Sequence, residues 1–171
     1  MYVMSNIKIS LGKRDVIFII HLNEIKQEIT LDMIKRIWHE NIEEIDVEYM
    51  YAEPFGSFVA GCITASKGQD GVVFVWNTNT QQFIHYSNGE FAVKVSIHNN
   101  NVYILREVSY WGVKAHLQLD YCPLNTTDRN NNTTKVELSE ETEYQLANDP
   151  DDYVIVFDGD MPTVKVSNEQ Q

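Results

Sequence analysis

Val72-Val-Phe-Val-Trp76, then Asn77-Thr-Asn-Thr80, then Gln81-Gln-Phe-Ile-His-Tyr86, Ser87-Asn-Gly89 and Phe91-Ala-Val-Lys-Val-Ser-Ile-His98: residues 72–98 decide the fold class. Short runs rich in β-branched and aromatic residues alternate with clusters of Asn, Thr, Ser and Gly. Such clusters tolerate the positive φ that tight hairpins require. The spacing of about ten residues is that of consecutive antiparallel strands. Phe91, Val93, Val95 and Ile97 alternate with Lys94, Ser96 and His98, the period of a strand with one face inward. Val72–Trp76 and Val102-Tyr-Ile-Leu105 are apolar on both faces, and such strands need a cover on each side.

The pattern extends outward in both directions. Further strands are expected near 57–66, 102–111 and 114–121. Residues 46–53 alternate, with Val47, Tyr49 and Tyr51 on one face and Asp46, Glu48 and Met50 on the other. They read as a half-buried strand with an acidic outer face. Residues 5–11 and 15–21 form a hairpin about Gly12-Lys-Arg-Asp15. Residues 153–157 and 163–166 are the last two strands, joined by Asp158-Gly-Asp-Met-Pro162. One helix is expected near 30–42. Leu31, Ile34, Trp38 and Ile42 share a stripe, Thr30 is a fitting N-cap, and Ile29 with Ile34 forms a hydrophobic staple. Ser139 is placed to cap a short helix ending near Ala147.

The expected fold is therefore mainly β, of the α+β kind. An antiparallel meander forms a curved sheet, a sandwich or a partly open barrel, with the helix near 30–42 packed on it. Residues 1–171 make one domain, with an exposed polar loop at 125–135 and a frayed tail at 167–171. Trp76-Asn-Thr-Asn-Thr80 faintly resembles the end of a propeller strand, but no second copy exists and the sequence reads as non-repetitive.

Charge is the strongest compositional signal. The net charge is −12, and it is concentrated in two segments. Residues 40–53 hold six acidic and no basic groups. Residues 137–171 hold ten acidic groups against Lys165 alone. The intervening stretch is nearly neutral. Such a field repels nucleic acid and anionic membranes and attracts a basic protein. No run approaches the ~18 apolar residues of a membrane span. The start lacks the basic and apolar regions of a secretory signal, so a cytoplasmic location is expected. Two buried thiols, Cys62 and Cys122, then fit better than a disulfide.

Catalytic motifs are weak. His39-Glu-Asn-Ile-Glu43 begins like a zinc-protease helix but lacks the second histidine, and no Gly-rich phosphate loop is present. Asp149, Asp151, Asp152, Asp158 and Asp160 do not follow the EF-hand spacing, since Tyr153 fills the third ligand position. No cofactor or metal is expected. The leading expectation is a protein-interaction module, an acidic immunity- or antitoxin-like inhibitor of a basic protein. Its partner-binding residues are Glu40, Glu43, Glu44, Asp46, Glu48, Tyr49, Tyr51, Asp151, Asp152 and Tyr153. Carboxylates would steer the encounter and aromatics would supply contact area. One alternative is a β-barrel for a small hydrophobic ligand. A second is a hydrolase-type enzyme using His98, His116 and Asp120.

Overall fold

The computed structural model describes residues 5–9, 16–22, 25–130 and 132–167. The chain is mainly β and every named sheet is antiparallel, but none closes into a barrel. Strands β1 (Ser5–Ile9), β2 (Val16–Leu22) and β3 (Ile25–Thr30) form a first sheet. Helix α1 (Leu31–Ile37) follows. Strands β4 (Val47–Phe55), β5 (Phe58–Ala65), β6 (Asp70–Asn77) and β7 (Gln82–Asn88) form a second sheet in that order. Strands β8 (Ala92–His98), β9 (Asn101–Val108), β10 (His116–Pro123) and β11 (Thr134–Val136) form a third, also in chain order. A four-residue helix, α2 (Glu140–Glu143), leads to the hairpin of β12 (Tyr153–Asp158) and β13 (Met161–Val166).

These four layers stack through three apolar interfaces. Phe18, Ile20, Ile29, Ile34 and Trp38 meet Val59, Ile63, Val72, Phe74 and Trp76 in the first. Ala60, Cys62, Val73 and Val75 meet Val95, Val102, Ile104 and Cys122 in the second. Tyr103, Leu105, Leu117 and Leu119 meet Tyr153 and Val164 in the third. The strands expected to be covered on both sides are those in the middle of the stack. Successive residues of β6 serve the first and second interfaces in turn, and those of β9 serve the second and third. The second and third sheets are two four-stranded meanders in succession, stacked face to face, as repeated blades are. The backbone thus repeats where the side chains do not. β6 ends in Trp76-Asn77, whereas its counterpart β10 ends in Cys122-Pro123.

Several expectations are corrected. The helix runs only from Leu31 to Ile37. Thr30 does cap it, its Oγ1 accepting from the Met33 N–H at 3.4 Å. The chain then turns at Trp38, whose Nε1 donates to Asp70 Oδ1 at 3.0 Å, and Ile42–Glu44 form a separate 3-10 turn. Burying Trp38 and Ile42 together bends the backbone, so Glu43 and Glu44 never face the dipole of a long helix. Strand β3 occupies residues read only as the approach to the helix. Strand β4 has no acidic outer face. A bulge between Val47 and Tyr49 sends Val47 and Met50 to the first interface and Tyr49 and Tyr51 to the second. Within the loop expected at 125–135, Thr134 begins β11, and Thr127 bridges to Tyr86. Ser139 caps α2 through the Thr142 N–H at 3.2 Å, but the helix stops at Glu143. Ser167 belongs to the body, its N–H bonding Asp152 O at 2.7 Å, while the rest of the expected tail lies outside the described residues. So does the Gly12–Asp15 turn.

Candidate functional site

A cleft of about 220 Å³ opens where the second and third sheets and the approach to β12 meet. Tyr49 enters from β4, Lys67 and Gly68 from the β5–β6 turn, Phe91 from the β7–β8 turn, Glu107 from the end of β9, and Pro150 from before β12. The turn beside it is built against backbone preference. Ser66, Lys67 and Gly68 lie at φ 54, 57 and 87, and Phe91 at φ 58. Left-handed backbone costs a non-glycine residue about 1–2 kcal/mol. Strain of this kind persists only where surrounding contacts enforce it, and it gathers at sites that work. Two contacts enforce it here. Both carboxylate oxygens of Glu48 accept from the Lys67 N–H at 3.0 Å. The Phe91 N–H donates to Gly68 O at 2.6 Å. A Cβ on Gly68 would come within 2.7 Å of the Phe91 ring, so the missing side chain is what seats that ring.

Phe91 carries the aromatic part outward. Tyr110 stacks on it at 5.9 Å, and the next residue, Trp111, is 98% exposed. Gly112 at φ 84 completes this β9–β10 loop, and Val113 is exposed beside it. On the loop's other limb, Lys114 Nζ sits 4.2 Å over the exposed Tyr144 ring. A fully exposed Trp on an anchored loop contributes nothing to the core.

The two acidic segments converge at this cleft. Burial raises the Tyr49 phenol, and the negative charges of Asp151, Asp149 and Glu107 push it the same way. Tyr49 of the first segment and Pro150 of the second both line the cleft, with Glu48 bonded to the Lys67 N–H beside it and Asp149 and Asp151 flanking Pro150. Lys94 Nζ reaches Asp151 O at 3.4 Å and ties the third sheet to this segment. Asp46 lies one residue before the Val47–Ala65 pair, beside the strained turn. Glu40, Glu43 and Glu44 are exposed but do not line the cleft, and Glu43 pairs with Lys35 at 3.5 Å. Asp152 is half-buried, and its carbonyl holds Ser167.

The hydroxyls of the three tyrosines expected at a partner surface are bonded within the fold. The Tyr49 hydroxyl donates to Val93 O at 2.8 Å, and Tyr51 to Val95 O at 3.4 Å and to Glu53. Both carbonyls belong to β8, an edge strand of its sheet, so the pair closes an edge that would otherwise be open. Tyr153 is fully buried and accepts from the Ala147 N–H at 2.9 Å. Burial raises its phenol to about 12. Alternation shows which side a residue faces, not how deeply that side is covered. Phe91, Glu107, Tyr110 and Trp111 entered no expected site, and Asp149 entered only the comparison with calcium-loop spacing. The one signal for them is Tyr110-Trp111-Gly112, two large aromatics against a hairpin glycine with no alternating partner.

The chemistry proposed for a hydrolase does not assemble. His98 pairs in register with Asn101 and His116 with Val108, seven residues apart on β9, or roughly 20 Å. His98 Nε2 bonds Gly159 O at 3.0 Å, and His116 Nδ1 bonds Lys114 O at 2.8 Å. Asp120 is buried and pairs with Arg106 Nε at 2.9 Å. Cys62 and Cys122 are buried free thiols, and burial raises both. Among the described residues, no group of three or more His, Cys, Asp or Glu side chains is placed to hold a metal, and no helix is long and apolar enough to cross a membrane. Asp149, Asp151 and Asp152 stand before β12, and Asp158 and Asp160 at its far end, so the five aspartates do not form one site. The sheets are not closed into a barrel, and the cleft is smaller than the ~300 Å³ at which drug-sized ligand pockets begin. No known protein family, curated protein or solved structure matches this chain.

Proposed function

We propose that this chain is a protein-interaction module that binds a basic protein partner at the acidic, aromatic end of its stacked sheets, as an acidic inhibitor or immunity protein would. One observation carries the reading. Two acidic segments about a hundred residues apart in sequence are brought to one cleft, beside a loop that displays Trp111. Carboxylates at the rim raise the encounter rate with a cation-rich surface. An exposed aromatic next to the Tyr110–Phe91 stack supplies the contact area of a hot spot.

The test compares two neutralised variants. One replaces Glu107, Asp149 and Asp151 by Gln, Asn and Asn. The other replaces Glu40, Glu43 and Glu44 by Gln. Each is used as bait at low and at high salt, after circular dichroism has shown the fold intact. The expected outcome is capture of a basic protein by the wild type and by the second variant, weakened by salt, and loss of capture by the first. Undiminished capture by the first variant would remove the cleft from the interface.

A further inference from the structure

We infer that the cleft between Tyr49 and Phe91 receives one arginine side chain of the partner. This rests on the acidic end being the partner surface, and it adds which chemical group the partner presents. The cleft is too small for a folded element, and its mixed walls suit one long side chain. Val93 and Pro150 offer apolar contact to an aliphatic stem. Tyr49, only half-buried, offers aromatic surface, and Glu107 is the carboxylate in the lining, with Asp149 and Asp151 flanking Pro150.

Arginine fits this set better than lysine. A guanidinium stacks on an aromatic ring while its in-plane N–H groups grip a carboxylate in a fork, and it sheds water more readily than an ammonium. The aromatic wall is held ready. Tyr49 is fixed by the bond from its hydroxyl to Val93 O at 2.8 Å, so its ring does not have to order on binding. Lys67 is the only cation lining the cleft among the described residues. It opposes a second positive charge, which gives the inference a gain-of-function arm.

The experiment uses the full chain and three short peptides of equal length. Their repeated basic position is Arg, Lys or the neutral isostere citrulline. Affinity is measured by calorimetry, and Trp111 is followed by acrylamide quenching. Trp38 and Trp76 are buried, so quenchable emission belongs to Trp111. The expected order is Arg above Lys by about fivefold or more, with citrulline silent and Trp111 shielded by the Arg peptide. Glu107→Gln should weaken the Arg peptide by about tenfold, and Lys67→Glu should tighten it several-fold. Equal affinity for Arg and Lys, unchanged by Glu107→Gln, would overturn the arginine assignment and leave the acidic surface standing. No binding of either charged peptide at low salt would overturn both.

Discussion

His85 is buried with both ring nitrogens engaged. Nδ1 lies 2.9 Å from Leu124 O and Nε2 lies 2.8 Å from Ser87 Oγ. A carbonyl only accepts, so Nδ1 carries the proton and Nε2 accepts from the serine hydroxyl. Burial lowers the imidazole from 6.5 to about 4. The unfolded chain therefore takes up a proton before the native state does. Stability should fall as pH drops from about 6.5 to 4 and lose nothing more from this group below that, a total near 3 kcal/mol. Urea midpoints measured across that window should show the slope in the wild type and a shallower one in His85→Gln. Equal slopes would mean that the imidazole is not held neutral.

A second residue-scale test concerns Arg106, which is 5% exposed and spans four partners. Its Nε meets Asp120, Nη1 meets Glu90 O at 2.6 Å, and Nη2 meets Asn88 O at 3.0 Å and Thr133 Oγ1 at 3.3 Å. It thereby fixes the β7–β8 turn that carries Phe91. Asp120→Leu leaves this guanidinium buried without its counter-ion and should cost about 3–5 kcal/mol. Replacing Arg106 by Leu as well should cost less than the two single changes summed, since no charge is then stranded. Additive thermal-melt losses would show that the pair is not coupled.

At the scale of elements, turns do more than join strands. Within the second meander, β6 and the end of β7 close on each other at Gly71 and Gly89, where a Cβ on Gly71 would meet Gly89 O at 2.4 Å. Next to them the left-handed Ser66–Gly68 turn seats Phe91. Gly68→Ala combines a φ of 87 with a side-chain clash at 2.7 Å. It should cost roughly 2 kcal/mol or more and disturb the Phe91–Tyr110 stack, read as a shift in Trp111 emission. Gly112→Ala, also at positive φ but with nothing within 4 Å, should cost only about 1 kcal/mol. Equal losses for the two would mean that Gly68 provides backbone freedom and no room for the ring. Sequence reading placed most of these strands, because period-2 alternation and Asn/Gly turns are local signals. It overran α1 by several residues because the apolar stripe continues to Trp38 and Ile42. The stripe records that both are buried, not that one straight helix buries them.

The whole molecule is a stack, and its order was not legible from the chain. Which sheet faces which depends on contacts between residues far apart in sequence, as when Tyr49 reaches Val93 or Lys94 reaches Asp151. For the same reason the acidic segments were visible as composition while their meeting point was not. What was legible is the pair of strands apolar on both faces, and these make the stack's stability uneven. Val72–Val75 and Val102, Ile104 and Leu105 are at 0% exposure, with a sheet on either side. Strand β13 is paired only to β12 among the named strands, and Val154 and Met161 on that hairpin are exposed. Opening the hairpin breaks one interface, whereas opening β6 or β9 breaks two. Local opening draws first on regions with fewer buried contacts. Amide exchange should therefore be slowest in β6 and β9, approaching the global unfolding free energy. It should be faster in β12, β13 and α2, where the acidic C-terminal segment also repels itself and gains from added salt. Uniform protection across all four layers would show instead that the stack opens only as one unit, and that the hairpin is as integral as the sheets it covers.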